Sequence, residues 1–308
     1  MTTESELRST NYYGPFAGFR NMLQKENARW WNRKSLITQF IVWFVLLNAL
    51  GICTMVGMAH IHIPPAQTAN PTTLDPNAQA AMENGISFPP DIIATTGMQI
   101  FFYMAGLLVY IGAVILGHDA ILKERESCTA AWLLSKPVSR KAFMFSKLLT
   151  ISAGALAIIL LLQGLIAYAA CSVAQGNPMP ALPFLAGLGI LGIGVLFYLI
   201  MSIALGTLIQ SRAVALGLPI ILGLGSGVIQ MVISMIDLVN KNNLLDYIGY
   251  ITPWKFTDYA TALATGGTFL VNTPLSQLPY WPWSVIATLI WILLFIAAAV
   301  LRFEQLEL

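Results

Sequence analysis

Charged residues are scarce in this sequence of 308 residues, since only 10% are Asp, Glu, Lys or Arg, against about 25% in an ordinary soluble domain. They are absent altogether from six apolar windows: residues 36–58, 92–117, 148–174, 181–210, 213–236 and 284–301. At about 1.5 Å of rise per residue, each window is long enough to cross most or all of a hydrocarbon core of about 30 Å. Lipid offers backbone polar groups no partner, so each window is predicted to be a helix. The sequence therefore predicts an all-α membrane protein, a single transmembrane domain over residues 1–308 with six spanning helices.

Two functional features are missing from the chain. No Gly-x-x-x-x-Gly-Lys-Ser/Thr segment occurs, so the chain makes no phosphate-binding loop of its own. The six windows hold no ionisable Asp, Glu, Lys or Arg, whereas a proton- or ion-coupled carrier usually keeps such groups inside the membrane. A secondary carrier is therefore disfavoured, although it stays open. The windows do hold amide side chains, which are expected to hydrogen-bond between helices, such as Asn48, Gln99, Gln163 and Gln230.

Histidine and cysteine are too few and too scattered for a recognisable catalytic or metal site. Intramembrane catalysis needs a nucleophile with a base, but none of the three histidines falls inside the last four windows. His60 and His62 alone make a weak metal site, and metal binding there stays open. The cysteines show no metal spacing or disulfide framework and are interpreted as small apolar core residues: Cys53, Cys128 and Cys171. The chain is thus expected to be no enzyme and to hold no metal or cofactor.

The basic residues lie almost entirely on one side of the predicted membrane. Fourteen of the 16 fall before the first window, between the second and third windows, or at Arg212 and Arg302, and only Lys241 and Lys255 fall on the other side. Because cytoplasmic segments carry the excess of Lys and Arg, both termini are predicted to be cytoplasmic, in the cytoplasmic (inner) membrane of a prokaryote. The apolar stretch that follows residue 35 is membrane-length, so the first helix is expected to remain as an anchor.

Residues 1–35 form the predicted cytoplasmic N-terminal segment. Four apolar residues within positions 15–34 fall near one helical stripe, with the basic residues spread over the rest: Phe16, Phe19, Leu23 and Trp30. This pattern favours a helix lying in the cytoplasmic interface with its cations toward lipid headgroups. The alternative is a basic flank that only sets the topology.

The two long external loops differ in character. Residues 59–91 hold six prolines, and repeated proline prevents a continuous helix, so this loop is predicted to be mostly irregular. Within residues 237–283, the stretch 244–264 is compatible with short helices broken at Pro253. That loop ends in an aromatic cluster typical of an interfacial belt, namely Tyr280, Trp281 and Trp283.

The most informative segment is residues 118–147, which join the second and third windows. Its charged opening, apolar middle and Pro137 favour a short cytoplasmic helix, followed by a restart at Ser139 as the N-cap of the third span. Its 30 residues are more than reconnecting adjacent helices needs, so the segment is expected to dock onto another protein. A solvated charged turn is the alternative.

The same segment resembles a known family. Its characteristic residues are similar to the signature after the second membrane helix of type-2 ATP-binding-cassette (ABC) permeases: Lys123-Glu124-Arg125-Glu126, Thr129, Leu133-Leu134, Pro137-Val138-Ser139-Arg140 and Lys147. A weaker likeness, to the Thr/Ser-Pro-aromatic element of the family's extracellular helices, is Tyr250-Ile251-Thr252-Pro253-Trp254. Cys128 departs from the pattern, because glycine is usual at that position.

The resemblance implies a six-helix permease that dimerises, with this segment acting as a coupling helix in a groove of a separate ATPase. The residues expected to make the ATPase contacts are Glu124, Arg125, Glu126, Thr129, Pro137 and Arg140. Charged groups on a short helix can make charge-assisted hydrogen bonds with a partner groove, and contact with water alone is the alternative. The ATPase subunit would bind ATP and Mg²⁺, the other partners would be a second copy or paralogue and the lipid membrane, and no nucleic acid is expected.

These observations together predict ATP-driven export of a substrate across the cytoplasmic membrane. Uncharged helices rich in small and apolar residues favour an amphipathic or lipid-like cargo, although any lipid-facing helix shows the same composition. A membrane scaffold or sensor that transmits ATPase-driven motion without moving a substrate is the second candidate.

Overall fold

The computed structural model describes residues 14, 16–61, 88–126, 139–209, 211–240, 251–269, 273–278 and 281–305. Within this part of the chain the regular structure is entirely helical, as the sequence predicts. In chain order the helices are α1 (Phe19–Trp30), α2 (Arg33–Leu47), α3 (Ala49–His60), α4 (Pro90–Met104), α5 (Tyr110–Glu126), α6 (Arg140–Gly154), α7 (Leu162–Gln175), α8 (Ala181–Leu208), α9 (Arg212–Asn240), α10 (Phe256–Thr265) and α11 (Trp281–Gln305).

Four helical rods are long and apolar enough to cross a membrane: Pro90–His118, Arg140–Gln175, Ala181–Leu208 and Pro282–Gln305. A fifth candidate is the pair α2 and α3, which are bent by 45° relative to each other. α9 is 29 residues long, and the apolar helix found among its described residues is Arg212–Gly223. A multi-pass helical membrane domain with four or five candidate spans is therefore confirmed, and the fifth predicted span, residues 213–236, stays a prediction.

The third predicted span begins earlier than its charge-free window. The amide of Ala142 donates a hydrogen bond to Ser139 Oγ at 3.1 Å, so the predicted N-cap at Ser139 is confirmed. The helix accordingly starts at Arg140, as this N-cap predicts, eight residues before the charge-free window begins at Leu148. Charged residues cannot be part of the charge-free window, but Lys and Arg are good helix formers, so the helix can begin before the window does.

Three of the candidate spans are irregular along their length. α2 and α3 are separated at Asn48, and π-helical segments at Ala105–Val109 and Ala155–Leu161 join α4 to α5 and α6 to α7. Asn48 Nδ2 donates to Gln163 Oε1 at 2.9 Å, and both side chains are buried. The break in the first candidate span is thus bonded to the third, just after its π-helical segment. Such segments are rare and occur frequently at functional sites.

α8 lies at the centre of the bundle and packs against α5, α9, α10 and α11. Small residues let these helices approach closely, since a Cβ added at Gly117 would lie 2.6 Å from the carbonyl oxygen of Leu199. Most side chains of α8 are buried, whereas α11 exposes a broad apolar face that includes Leu293 and Leu301.

The segment before α11 folds back onto the bundle. A 3₁₀ turn at Pro253–Lys255 leads into α10, which buries Phe256 and Tyr259 and packs against α8 and α4. A short helix after Pro253 is thus observed, while residues 241–250 lie outside the described part, so a helix before Pro253 stays a prediction. In the proline-rich loop, α3 ends at His60 and α4 begins at Pro90, and residues 62–87 lie outside the described part.

Candidate functional site

The predicted ATPase contacts fall at the two ends of the 118–147 segment. Glu124, Arg125 and Glu126 form the last positions of α5, which continues without a break from the second candidate span. Their side chains, together with all of Thr129 and Pro137, lie outside the described residues. The opening of the segment therefore prolongs the span helix, and a separate coupling helix farther along stays a prediction. Arg140, the first residue of α6, is the one predicted contact whose side chain is described.

Arg140 bonds to the last turn of the chain's final helix. Its Nη1 donates to the carbonyl oxygen of Glu304 at 2.6 Å. Next to it, Lys141 Nζ lies 3.3 Å from the Glu304 carboxylate, and the rings of Phe143 and Phe303 stack with centroids 5.3 Å apart. The last carbonyl groups of a helix have no hydrogen-bond donor within the helix, and a nearby cation can donate to them. The start of α6 is thereby attached to the end of α11.

A buried ion pair attaches the same part of α6 to the N-terminal helix. Lys147 Nζ lies 3.0 Å from Glu26 Oε1, with 0% and 5% of the two side chains exposed. The ammonium also lies 5.2 Å from the centroid of the Phe143 ring. Taking two charges out of water costs several kcal/mol per ion, so such a pair persists only with close geometry. The position of α1 on α6 is therefore tightly specified.

The buried face of α1 differs from the predicted stripe. Met22, Glu26 and Trp30 are the residues turned into the structure, at a helical spacing of four. Phe16 is 53% exposed, although its ring also meets that of Phe145 at a centroid distance of 5.7 Å. The predicted stripe included only apolar residues. It therefore missed Glu26, whose partner Lys147 is distant in sequence.

Further contacts complete the junction between these helices. A Cβ added at Gly154 would lie 2.5 Å from the ring of Trp30, so only glycine leaves room for this indole. The amide of Ser139 donates to the carbonyl oxygen of Ala17 at 3.1 Å. We refer to this junction of α1, α6 and α11 as the terminal cluster, and define it by Glu26, Trp30, Arg140, Lys147, Phe303 and Glu304. It lies where the 118–147 segment rejoins the bundle.

Asn48, Gln99 and Gln163 make contacts between distant segments as predicted, whereas Gln39 accepts a hydrogen bond from Trp43 of its own helix. Besides its bond with Asn48, Gln163 donates from Nε2 to the carbonyl oxygen of Phe40 at 3.4 Å. Gln99 Nε2 donates to Thr265 Oγ1 and to the carbonyl oxygen of Gly267, both at 3.4 Å. These bonds connect different helices, and the Gln230 side chain lies outside the described residues.

The carboxyl group of Asp258, which the sequence analysis places in a loop, lies on a helix that packs against the candidate spans. Asp258 lies on α10, and its neighbour Thr257 fills the space beside Gly106 in the π-helical segment. Burial raises the pKa of the Asp258 carboxyl, and Lys255 opposes this shift. The sequence reasoning missed this group because it counted charges only within the apolar windows. The amphipathic spacing of residues 256–264 was the available signal.

The described residues contain no cluster of three or more His, Cys, Asp or Glu that could hold a metal ion. His60 Nδ1 lies 2.7 Å from the carbonyl oxygen of Val56, within its own helix, and His62 is outside the described part. Cys171 is buried with Sγ 3.8 Å from Met55 Sδ, Cys53 is exposed, and both are free thiols.

The family comparison covers nearly the whole chain. A sequence model described as "ABC-2 family transporter protein" matches residues 20–308. The matched range includes the 118–147 segment, every candidate span and the terminal cluster. No curated protein matches the chain.

Proposed function

Because this chain belongs to the ABC-2 family of transporter proteins, we propose that it is the permease subunit of an ATP-driven exporter, energised by a separate ATPase subunit. The observation that carries the proposal is the attachment of the 118–147 segment to the bundle. One end is continuous with the second candidate span through α5, and the other end is bonded into the terminal cluster.

This arrangement suits transmission of force from a partner. A push on the end of α5 moves the helix that carries Tyr110 and the π-helical segment, because a continuous helix transmits axial displacement. The return end cannot slide independently, since Arg140 and Lys147 are bonded to α11 and α1. ATP binding and closure in the partner would thus displace α1, α5, α6 and α11 together.

The proposed contacts with the ATPase are Glu124, Arg125 and Glu126, assisted by Thr129 and Pro137. Carboxylate and guanidinium groups form strong charge-assisted hydrogen bonds with a polar groove. ATP and Mg²⁺ would be held entirely by the partner. Arg140, which the resemblance assigns to the same contact, is already bonded to Glu304 in this structure, so its proposed role is to position the segment.

A second copy or a paralogue is proposed to pair along α9. Five of its exposed apolar side chains fall on positions of an alternating four- and three-residue repeat, which is typical of a helix–helix seam, although the described side chains leave a gap of eleven residues between Ile221 and Val232: Val214, Leu218, Ile221, Val232 and Met235. Glycine at position 225 continues the same spacing in the middle of the helix. With α9 as the remaining span, the proposed topology has six spans and both termini in the cytoplasm, in the inner membrane of a prokaryote.

An amphipathic or lipid-like cargo agrees with the apolar grooves on the bundle. One groove of about 600 Å³ is lined almost wholly by apolar residues, including Met55, Ala170 and Val173. A second, of about 440 Å³, lies between the π-helical segment Ala155–Leu161 and α8. Both have the shape and polarity to accept hydrocarbon.

The proposal is tested by isolating the tagged chain from its native membrane and assaying the complex. An ABC ATPase is expected to co-purify, and Glu124→Ala or Arg125→Ala is expected to abolish the stimulation of its activity by the permease. Arg20→Ala is the matched control, because Arg20 is an exposed cation on α1. Unchanged stimulation in the α5 variants would refute the assigned contacts, and absence of an ATPase would refute the function. Transport in reconstituted vesicles separates an exporter from a scaffold.

A further inference from the structure

The groove of about 600 Å³ lies between α3 and α7. Both helices pack against α4 but scarcely against each other, so an open space remains between them. Each helix lines this α3–α7 groove with the residues of one face, from Ile52 to His60 on α3 and from Ile166 to Ala174 on α7. The volume falls within the range of about 300–1,000 Å³ that is usual for small-molecule sites. The groove therefore has room for an alkyl chain with a small headgroup.

Buried side chains close the floor of the groove. Met55 and Ile93 line it and are only 7% and 6% exposed. Met55 Sδ lies 3.8 Å from Cys171 Sγ of α7, and a Cβ added at Gly97 of α4 would collide with the Met55 side chain. Met55 thus fills the space beneath the groove where the three helices meet. A ligand would lie along the groove instead of entering the bundle.

The inner end of the groove lies one helical turn from the bond between Asn48 and Gln163. Ile52 is one turn after Asn48, and Ile166 is one turn after Gln163. The bond holds the two walls together at this point. Beyond it, four of the lining side chains are alanine and leave the groove open: Ala59, Ala169, Ala170 and Ala174.

His60 supplies a polar group at the outer end of the groove. It is the last residue of α3, is exposed, and lies two residues beyond the apolar window 36–58, which places it at the membrane surface. Its Nδ1 lies 2.7 Å from the carbonyl oxygen of Val56. A carbonyl oxygen can only accept, so Nδ1 carries the hydrogen, and Nε2 of the neutral ring is an acceptor. The groove thus joins an apolar body to one acceptor at the surface.

The second groove, between the π-helical segment Ala155–Leu161 and α8, differs in this respect. The residues that the structure places along it are all Ala, Leu, Gly or Ile. It offers only hydrocarbon contact, which any chain of the bilayer satisfies. The polar outer end is therefore what would make the α3–α7 groove selective.

We propose that the α3–α7 groove binds an alkyl amphiphile with a hydroxyl headgroup. The hydroxyl donates to His60 Nε2 at the membrane surface, and the chain lies over Met55 toward Ile52 and Ile166. The polarity and the direction of such a molecule both match the groove, because its chain points into the membrane from the surface. The proposal goes beyond the export function, since binding here needs no ATPase.

The test uses the complete complex in lipid nanodiscs and a photoreactive probe, dodecanol with a diazirine in its chain, whose labelling sites are mapped by mass spectrometry. Labelling of α3 and α7 along the groove is expected to saturate. Unlabelled dodecanol is expected to compete at about two- to tenfold lower concentration than dodecyl methyl ether, which cannot donate, because one neutral hydrogen bond has an effect of this size.

Three variants locate the site. Ala170→Trp fills the groove and is expected to abolish the saturable labelling. Ala157→Trp, the matched change in the second groove, is expected to leave it intact. His60→Phe keeps a ring but removes both nitrogens, so labelling is expected to remain while alcohol and ether become equal competitors.

Labelling that does not saturate, or that spreads evenly over lipid-facing helices such as α11, would overturn the proposal, because ordinary bilayer chains give that result. Equal competition by alcohol and ether in the unmodified complex would overturn it without any variant. A preference for the alcohol that survives His60→Phe would also overturn it. Lack of a co-purifying ATPase would refute the export function alone, since the labelling is read independently.

Discussion

The ammonium of Lys147 and the carboxylate of Glu26 lie 3.0 Å apart with almost no exposure to solvent, although 121 residues separate them in sequence. The pair joins the N-terminal helix to the first turns of α6. Trp30, one turn after Glu26, fits against Gly154 in the same interface. The N-terminal helix is therefore an integral part of the bundle at the point where the 118–147 segment ends.

Breaking this ion pair from one side is expected to be strongly destabilising. Lys147→Met or Glu26→Leu leaves an uncompensated buried charge, and the expected cost is about 3–5 kcal/mol. The double substitution Glu26→Leu with Lys147→Met removes both charges and is expected to recover most of that loss. The thermal midpoint of the purified protein measures the effect. Lys25→Met, at an exposed cation on the same helix, is the control.

The double variant also shows whether the ion pair is needed for stimulation of the ATPase as well as for stability. If the pair serves only to hold α1 in place, the double variant regains both the thermal midpoint and ATPase stimulation. We expect it to regain both, because apolar contacts around Trp30 and Met22 keep α1 on α6. Full stability in either single variant would contradict the buried geometry.

The two basic residues at the start of α6 are expected to differ in importance. Arg140 donates a short bond to a backbone carbonyl, and hydrogen bonds to charged groups contribute about 1.5–3 kcal/mol. Lys141 pairs with the Glu304 carboxylate at 3.3 Å, with 43% and 34% of the side chains exposed, and such a pair contributes about 0–1 kcal/mol. Arg140→Ala is thus expected to lower the thermal midpoint clearly and Lys141→Ala hardly at all. Equal effects would contradict this assignment.

The helical rods were predictable because the cost of burying charge in lipid acts on each window independently. Ser139 was predictable as an N-cap because its bond to the amide of Ala142 is also local and does not depend on how the helices pack. The sequence could predict that Asn48 and Gln163 form hydrogen bonds between helices, because an amide side chain in lipid needs a hydrogen-bond partner. Which partner each one finds depends on how the helices pack.

Glu26 and Asp258 show what the sequence could not reveal. A carboxylate in a basic, polar segment normally stays in water, and only the docking of α1 on Lys147 buries it. Asp258 lies between the fifth and sixth apolar windows, in an apparent loop, but α10 folds back against α8. Both depend on contacts between distant segments. The same holds for the bend at Asn48, which no proline marks.

The bond between Asn48 and Gln163 is expected to stabilise the bend between α2 and α3. Asn48→Ala and Gln163→Ala are each expected to cost about 0.6 kcal/mol, the average found for hydrogen bonds between membrane helices, and at most about 1.7 kcal/mol. In a double-mutant cycle their effects should be less than additive, because each removes the same bond. Thr54→Ala is the control, since the Thr54 hydroxyl bonds only to Leu50 of its own helix in the described structure. Strict additivity would show that the amides act separately.

Cysteine cross-linking tests the proposed pairing along α9. In a background where Cys53, Cys128 and Cys171 are replaced by serine or alanine, Leu218→Cys is expected to form a disulfide-linked dimer in the native membrane under mild oxidation. Its side chain is 40% exposed on the face whose spacing matches a helix–helix seam. Leu293→Cys, 66% exposed on α11, is the control and is expected to stay monomeric because that face meets lipid. Both positions are apolar and exposed, so random collisions between copies would cross-link the two cysteine variants to the same extent. A difference between them therefore reports a specific interface. A dimer formed through residue 293 and not through 218 would move the interface to α11.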